Sequence, residues 1–102
     1  MLDIIEDHRA QLEGLCQRHH VGRLELFGSA ATGQFQPTAS DLDFLVDFHP
    51  LSSTDRADAY FGLLHGLEDL FHTKIDLVTV QAIKNRRFLQ SIQPQRTLLY
   101  AA

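Results

Sequence analysis

The sequence predicts an α+β fold of two layers, in which a small mixed β-sheet carries helices mainly on one face. Three observations support this prediction. Apolar residues recur at helical spacing over residues 2–20. Apolar and polar residues alternate over residues 42–48, as they do in a strand with two different faces. A long amphipathic segment then separates this strand from the next, which is typical of a parallel crossover connection.

Turn and capping residues separate the predicted elements. Gly22 ends the first helix, and Gly28 with Ser29 forms a turn into a brief helical stretch that ends near Gly33. Ser53 or Thr54 caps the long helix that follows the central strand. Besides the brief helical stretch, helices are predicted over 2–20, 53–72 and 81–92. Strands are predicted over 23–27, 42–48, 74–80 and 97–100.

Composition limits the classes of function. The chain of 102 residues is expected to form one domain, 1–102, with 44% hydrophobic and 22% charged residues. Its net charge of −4 gives no basic field for a nucleic-acid backbone, so a nucleic-acid substrate is disfavoured. The acidic, interrupted N-terminus predicts neither a signal peptide nor a membrane span. Cys16, the one cysteine, lies on the apolar stripe of the first helix, and a cytoplasmic protein is expected.

Three aspartates form the candidate catalytic set. Asp41 and Asp43 are two residues apart at the start of a strand, so their side chains leave the same face about 7 Å apart. Asp76 lies in a later predicted strand and joins them if the two strands are neighbours. Clustered carboxylates repel unless a cation neutralises them, and oxygen ligands select Mg²⁺ or Mn²⁺. Two such ions about 4 Å apart support an in-line phosphoryl or nucleotidyl displacement.

The turn at Gly28 and Ser29 supplies a complementary phosphate site. Glycine allows the backbone to approach a ligand closely, and the amides at a helix start can bind phosphate oxygens. Gly28 and Gly33 match the first half of a P-loop, but Gln34 stands where that motif requires lysine. The pattern therefore favours a metal-bound nucleoside triphosphate held outside a P-loop.

These motifs together resemble a known enzyme family. Leu-Phe-Gly-Ser at 26–29, Ser-Asp-Leu-Asp-Phe-Leu-Val at 40–46 and Lys-Ile-Asp-Leu-Val at 74–78 are similar to the polymerase-β-type nucleotidyltransferases. Within them, the chain most resembles the minimal nucleotidyltransferases, over nearly its whole length. The resemblance implies that Asp41, Asp43 and Asp76 are metal ligands, with Asp76 also helping to deprotonate the nucleophile. It also implies that Gly28 and Ser29 contact the triphosphate.

The resemblance further implies a partner and a reaction. Members of this family often act as antitoxins of a small helical HEPN toxin, by transferring AMP from ATP to a tyrosine of the toxin. A hetero-oligomer with such a partner is therefore expected. Two departures lie near the triphosphate site: Thr32 stands where the family usually has arginine, and eleven residues between Ser29 and Asp41 exceed the usual spacing.

Two other functions remain as alternatives. The departures near the triphosphate site motivate a binding module that masks its partner with little or no catalysis. A transferase for a small molecule such as an aminoglycoside is disfavoured, because such enzymes usually append a further domain.

Several polar residues keep two interpretations. Ser40 either caps the turn before Asp41 or contacts the nucleotide. Asp47 lies on the face of Asp43 but further from the strand start, which favours solvation or a salt bridge. Residues 65 and 72 are histidines on one helix, where surface positions are favoured over a metal site. The basic cluster at 84, 86 and 87 either meets an anionic ligand or partner or forms a solvated helix face.

Overall fold

The computed structural model describes residues 3–27, 42–80 and 97–102, which form three helices and four strands. We number the elements in chain order. The helices are α1 (Asp3–Asp7), α2 (Arg9–Arg18) and α3 (Ser53–Phe71). The strands are β1 (Val21–Phe27), β2 (Leu42–Phe48), β3 (Ile75–Thr79) and β4 (Thr97–Ala101). The predicted strands are thus all present: the bounds of β2 match, and those of the other strands differ by one or two residues. The predicted helices at 29–33 and 81–92 lie outside the described residues.

The four strands form one mixed sheet in the order β3-β2-β1-β4. β1 pairs antiparallel with both β2 and β4, whereas β2 and β3 are parallel. A parallel pair needs a crossover connection, and α3 provides it. The prediction of a small mixed sheet with a helical crossover between its second and third strands is therefore confirmed.

The first predicted helix, 2–20, is wrong as a single element, because a break at His8 divides it into α1 and α2. His8 has φ −117° and ψ 20°, outside the helical region, and its amide donates to the Ile5 carbonyl at 3.2 Å. The His8 ring packs edge-on against Phe71 of α3, with centroids 5.7 Å apart. This tertiary contact accompanies the break, and neither proline nor glycine marks it in the sequence.

The long helix α3 begins at Ser53, as predicted, but its cap lies one residue before the two predicted candidates. Its cap is Ser52, whose hydroxyl accepts a hydrogen bond from the Asp55 amide at 3.1 Å, so neither Ser53 nor Thr54 is the cap. The helix ends at His72, which adopts the left-handed conformation with φ 52°. Its buried residues recur every four positions and form one stripe against the sheet: Ala59, Leu63, Leu67 and Phe71.

The hydrophobic core lies between this stripe, α2 and one face of the sheet. Phe44 of β2 is fully buried and stacks on Phe71, with ring centroids 6.1 Å apart. Cys16 of α2 is also buried here, and burial, aided by the nearby charge of Glu13, raises the pKa of its thiol to about 12. The prediction that Cys16 is a core residue is confirmed.

Side chains from the helices satisfy carbonyl groups of both edge strands. The register between β1 and β4 shifts at Leu99, which has no partner in β1, and the Arg9 guanidinium donates to its carbonyl at 2.7 Å. At the other edge, the Tyr60 hydroxyl of α3 donates to the Leu77 carbonyl of β3, also at 2.7 Å. Each of these hydrogen bonds gives a backbone carbonyl of an edge strand a partner.

Burial in this core predicts the cost of shortening a leucine. Leu67→Ala, at a fully buried position, is expected to lower the free energy of unfolding by about 2–5 kcal/mol, because it removes apolar contacts and leaves a cavity. Leu98→Ala is the matched control: Leu98 is 48% exposed, and its replacement is expected to cost about 1 kcal/mol or less. Urea unfolding followed by circular dichroism measures both, and equal losses would contradict the assigned core.

Candidate functional site

Asp43 and Asp76 are direct neighbours across two parallel strands. In the register of β2 and β3, Asp43 lies opposite Asp76, Leu42 opposite Ile75 and Phe44 opposite Leu77. The apolar pairs are buried, whereas Asp43 is half-buried and Asp76 is exposed. Successive side chains point to opposite faces of a sheet, so both aspartates project from the face away from the core. We call this face, which carries Asp43 and Asp76, the acidic face.

Asp43 and Asp76 are each the second residue of their strand, so both lie at the same end of the sheet. The Leu42 amide donates to the Lys74 carbonyl at 3.1 Å, which ties the first residue of β2 to the residue before β3. Neighbouring strands lie about 4.8 Å apart, so the two carboxylates leave adjacent backbones at the same level. The sequence-based condition that the strand of Asp76 neighbours that of Asp43 is therefore met.

Further charged residues share the acidic face. In the antiparallel register of β1 and β2, Phe27 lies opposite Asp43, and Arg23 lies opposite Asp47. Glu25, between them on β1, is only 4% exposed and accepts a hydrogen bond from Arg23 Nε at 2.9 Å. A buried carboxylate needs such a charged partner. The sequence analysis did not single out Glu25, although its position inside the apolar run 24–27 was a signal that it is enclosed.

The hydroxyl of Tyr60 lies beside the strand that carries Asp76. It donates to the carbonyl of Leu77, the residue that follows Asp76. Burial, together with the negative charge of Asp76, raises the pKa of Tyr60 above its ordinary value. Tyr60 is thus a protonated donor at neutral pH. The sequence analysis did not single out Tyr60.

The remaining predicted site residues lie outside the described part of the chain. These are Gly28, Ser29, Ser40 and Asp41, and the same holds for Thr32 and for the basic residues at 84, 86 and 87. Within 3–27, 42–80 and 97–102, no group of three or more histidine, cysteine or acidic residues could hold a metal ion. The histidines at 65 and 72 therefore form no such site there. The structure brings together two of the three predicted carboxylates.

The donor chemistry of this pair fits a hard divalent cation. Carboxylate oxygens are the ligands that Mg²⁺ and Mn²⁺ prefer, and neither a thiolate nor an imidazole accompanies Asp43 and Asp76 on the described residues of β2 and β3. Two like charges in facing positions of a sheet are unfavourable by themselves. A bound cation would remove that repulsion.

Among the described residues, no helix has the length and hydropathy to span a membrane.

Comparison with known proteins agrees with this arrangement. Residues 8–99 match the family model described as a nucleotidyltransferase domain. A relative from Methanocaldococcus jannaschii, named "Putative protein adenylyltransferase MJ0128", is 35% identical over 91 residues, which cover 89% of this chain and 86% of the relative.

Two solved structures show the same fold. A crystal structure of a toxin–antitoxin with AMP-PNP contains a chain with a TM-score of 0.70 and 21% identity, and the match covers 92% of this chain and 73% of that one. A complex of a tri-AMPylated Shewanella oneidensis HEPN toxin with an MNT antitoxin contains a chain with a TM-score of 0.59 and 18% identity, matched over 95% and 72% of the respective lengths. The predicted α+β arrangement is thus confirmed as the polymerase-β-type nucleotidyltransferase fold, and the chain belongs to the nucleotidyltransferase-domain family.

Proposed function

We propose that this protein is a Mg²⁺-dependent protein adenylyltransferase, which transfers AMP from ATP to a tyrosine hydroxyl of a HEPN-type toxin and thereby acts as its antitoxin. The observation that carries the proposal is the parallel register that sets Asp43 beside Asp76 on the acidic face. The fold alone would not carry it, because one fold hosts many functions.

The reaction itself is a substitution at phosphorus. The hydroxyl oxygen of the acceptor attacks the α-phosphorus of ATP. The bond from that phosphorus to the oxygen that bridges the α- and β-phosphates breaks, and pyrophosphate leaves. The proton of the hydroxyl must go to a base, and the exposed carboxylate of Asp76 can take it. The half-buried Asp43 is set deeper beside it and keeps a fixed position on the central strand β2.

Asp41, Asp43 and Asp76 are proposed to hold two Mg²⁺ ions, with Mn²⁺ as a substitute. When bound, these ions neutralise the triphosphate and favour ionisation of the attacking hydroxyl. Gly28, Ser29 and Ser40 are proposed to bind the triphosphate through backbone amides and hydroxyl groups. ATP as the donor is supported by the AMP-PNP named in one structural neighbour.

The partner is proposed from a second structural neighbour. That complex joins an AMP-modified HEPN toxin to an MNT antitoxin. By analogy with that complex, we propose a hetero-oligomer in which the toxin presents the tyrosine. A cytoplasmic location is proposed with it, since the free Cys16 thiol suits a reducing compartment.

Removal of the carboxylate of either Asp43 or Asp76 is expected to lower the rate of AMP transfer strongly. Incubation of the protein with ATP, Mg²⁺ and a HEPN-type partner protein should add AMP to that partner, as seen by intact mass spectrometry. Asp43→Asn and Asp76→Asn should each lower the rate by about a hundredfold or more, because the site loses a metal ligand. Asp69→Asn is the control, since Asp69 is exposed on α3, in the layer opposite the acidic face.

The same variants separate catalysis from masking. If AMP transfer neutralises the toxin, Asp43→Asn should fail to protect cells that express the partner while it still binds that partner. Full protection by this variant, with no AMP on the partner, would overturn the proposal in favour of a binding module that only masks the toxin. Modification of a small molecule, with the partner unmodified, would instead support the small-molecule transferase.

Repulsion between the two aspartates gives a further prediction. In EDTA, Asp76→Asn should raise the free energy of unfolding by about 0.2–1 kcal/mol, because it removes one of two like charges in facing positions. Added Mg²⁺ should raise the melting temperature of the wild-type protein but not that of Asp76→Asn. Differential scanning fluorimetry measures both effects. An equal response of the two proteins to Mg²⁺ would show that Asp76 does not hold the ion.

A further inference from the structure

We propose that Tyr60 is a positioning residue for the candidate site: its hydrogen bond to the Leu77 carbonyl holds β3 in place, so that Asp76 stays beside Asp43 before a cation binds. The inference rests on the proposed function, since it assumes that Asp43 and Asp76 bind a divalent cation. Tyr60 itself touches neither nucleotide nor metal in this scheme.

The geometry places the tether one residue from the carboxylate. The Tyr60 hydroxyl reaches from α3 to the Leu77 carbonyl, over a distance of 2.7 Å between the two oxygens. Leu77 directly follows Asp76, and its side chain is buried on the core face. A shift of the backbone at Leu77 would therefore move Asp76 as well.

Strand β3 is held in the sheet by fewer strand contacts than β2. It has five residues, Ile75–Thr79, and among the described strands it lies at the edge of the sheet and pairs with β2 alone. β2, by contrast, is held between β3 and β1. Repulsion between the facing carboxylates acts to separate the two strands, and the edge strand yields more easily. The tether from α3 opposes that movement.

Among the described residues, the hydrogen bond to the Leu77 carbonyl is the contact that requires the Tyr60 hydroxyl. The ring of Tyr60 packs edge-on against Phe61, with centroids 5.2 Å apart, and a phenylalanine ring could make the same contact. Only the hydroxyl can donate to Leu77. A tyrosine hydroxyl is a donor at neutral pH, and burial, with the charge of Asp76, raises the pKa of Tyr60 further.

A site held ready in this way binds its cation without first pulling the strands together. If the tether is lost, the unliganded strands relax apart, and part of the binding energy is spent on restoring the register. The loss should therefore weaken metal binding, and saturating metal should largely restore the rate. A purely structural role would lower the stability and leave the metal affinity unchanged.

The test compares Tyr60→Phe with Tyr100→Phe. Tyr100 is the half-buried tyrosine of β4, the strand at the opposite edge of the sheet, and serves as the matched control. Mn²⁺ is titrated into each protein, and the free ion is followed by electron paramagnetic resonance. Tyr60→Phe should bind Mn²⁺ roughly two- to tenfold more weakly, the range expected for one lost hydrogen bond. Tyr100→Phe should bind it as the wild-type protein does.

Kinetics with the partner provide the second readout. For Tyr60→Phe, the Mn²⁺ concentration at half-maximal AMP transfer should rise by the same factor, while the rate at saturating Mn²⁺ should stay within about twofold. Tyr60→Met also lacks the hydroxyl but keeps an apolar side chain, and it should show the same shift. Unchanged Mn²⁺ affinity in either folded variant, or a lower saturating rate without a change in affinity, would overturn the inference.

The design separates failure of the inference from failure of the proposed function. Asp76→Asn is titrated in parallel. If the wild-type protein binds Mn²⁺ and Asp76→Asn does not, the metal site stands, and the Tyr60 variants alone decide the positioning role. If Asp76→Asn binds Mn²⁺ as the wild-type protein does, the proposed metal site itself is wrong.

Discussion

The parallel register between β2 and β3 is the constraint on which the candidate site depends, because it alone sets Asp43 beside Asp76. Burial of Ile75 and Leu77, which are 7% and 5% exposed, fixes this register. A slip of one residue would turn these side chains out of the core and Asp76 into it, at a cost of about 1.5–3 kcal/mol for each exposed apolar side chain. The apolar residues of β3 thus place the polar one.

That register depends in turn on α3. The helix makes the crossover that parallel strands require, and its stripe of buried residues, from Ala59 to Phe71, lies against the core face of the sheet. The stacking of Phe71 on Phe44 joins the end of α3 to β2 close to Asp43. The Tyr60 hydroxyl joins the same helix to β3. One helix therefore contacts both strands that carry the paired aspartates.

The sequence was sufficient for the features that recur with a period. Alternation over 42–48 predicted β2 to the residue, and the long amphipathic segment predicted the crossover. The neighbourhood of Asp43 and Asp76 was left as a condition, which the observed register meets. Features that depend on tertiary contact could not be predicted in this way. The break at His8 accompanies a ring contact with Phe71, and the tether at Tyr60 joins residues 17 apart in sequence across two elements. Periodicity describes which face a residue takes but not which backbone group it meets.

The carboxylates of the acidic face differ in their exposure and in their partners. Glu25 is buried and tied to Arg23, so its charge is compensated within the protein. Asp76, exposed at the edge of the sheet, has the environment in which a carboxylate can exchange a proton or bind an ion from solvent. Asp43 is half-buried on the strand that lies between β1 and β3. In the proposed scheme, a carboxylate on the central strand stays beside an exposed one on the edge strand because α3 is hydrogen-bonded to that edge strand, so the pair would be in place before a cation binds.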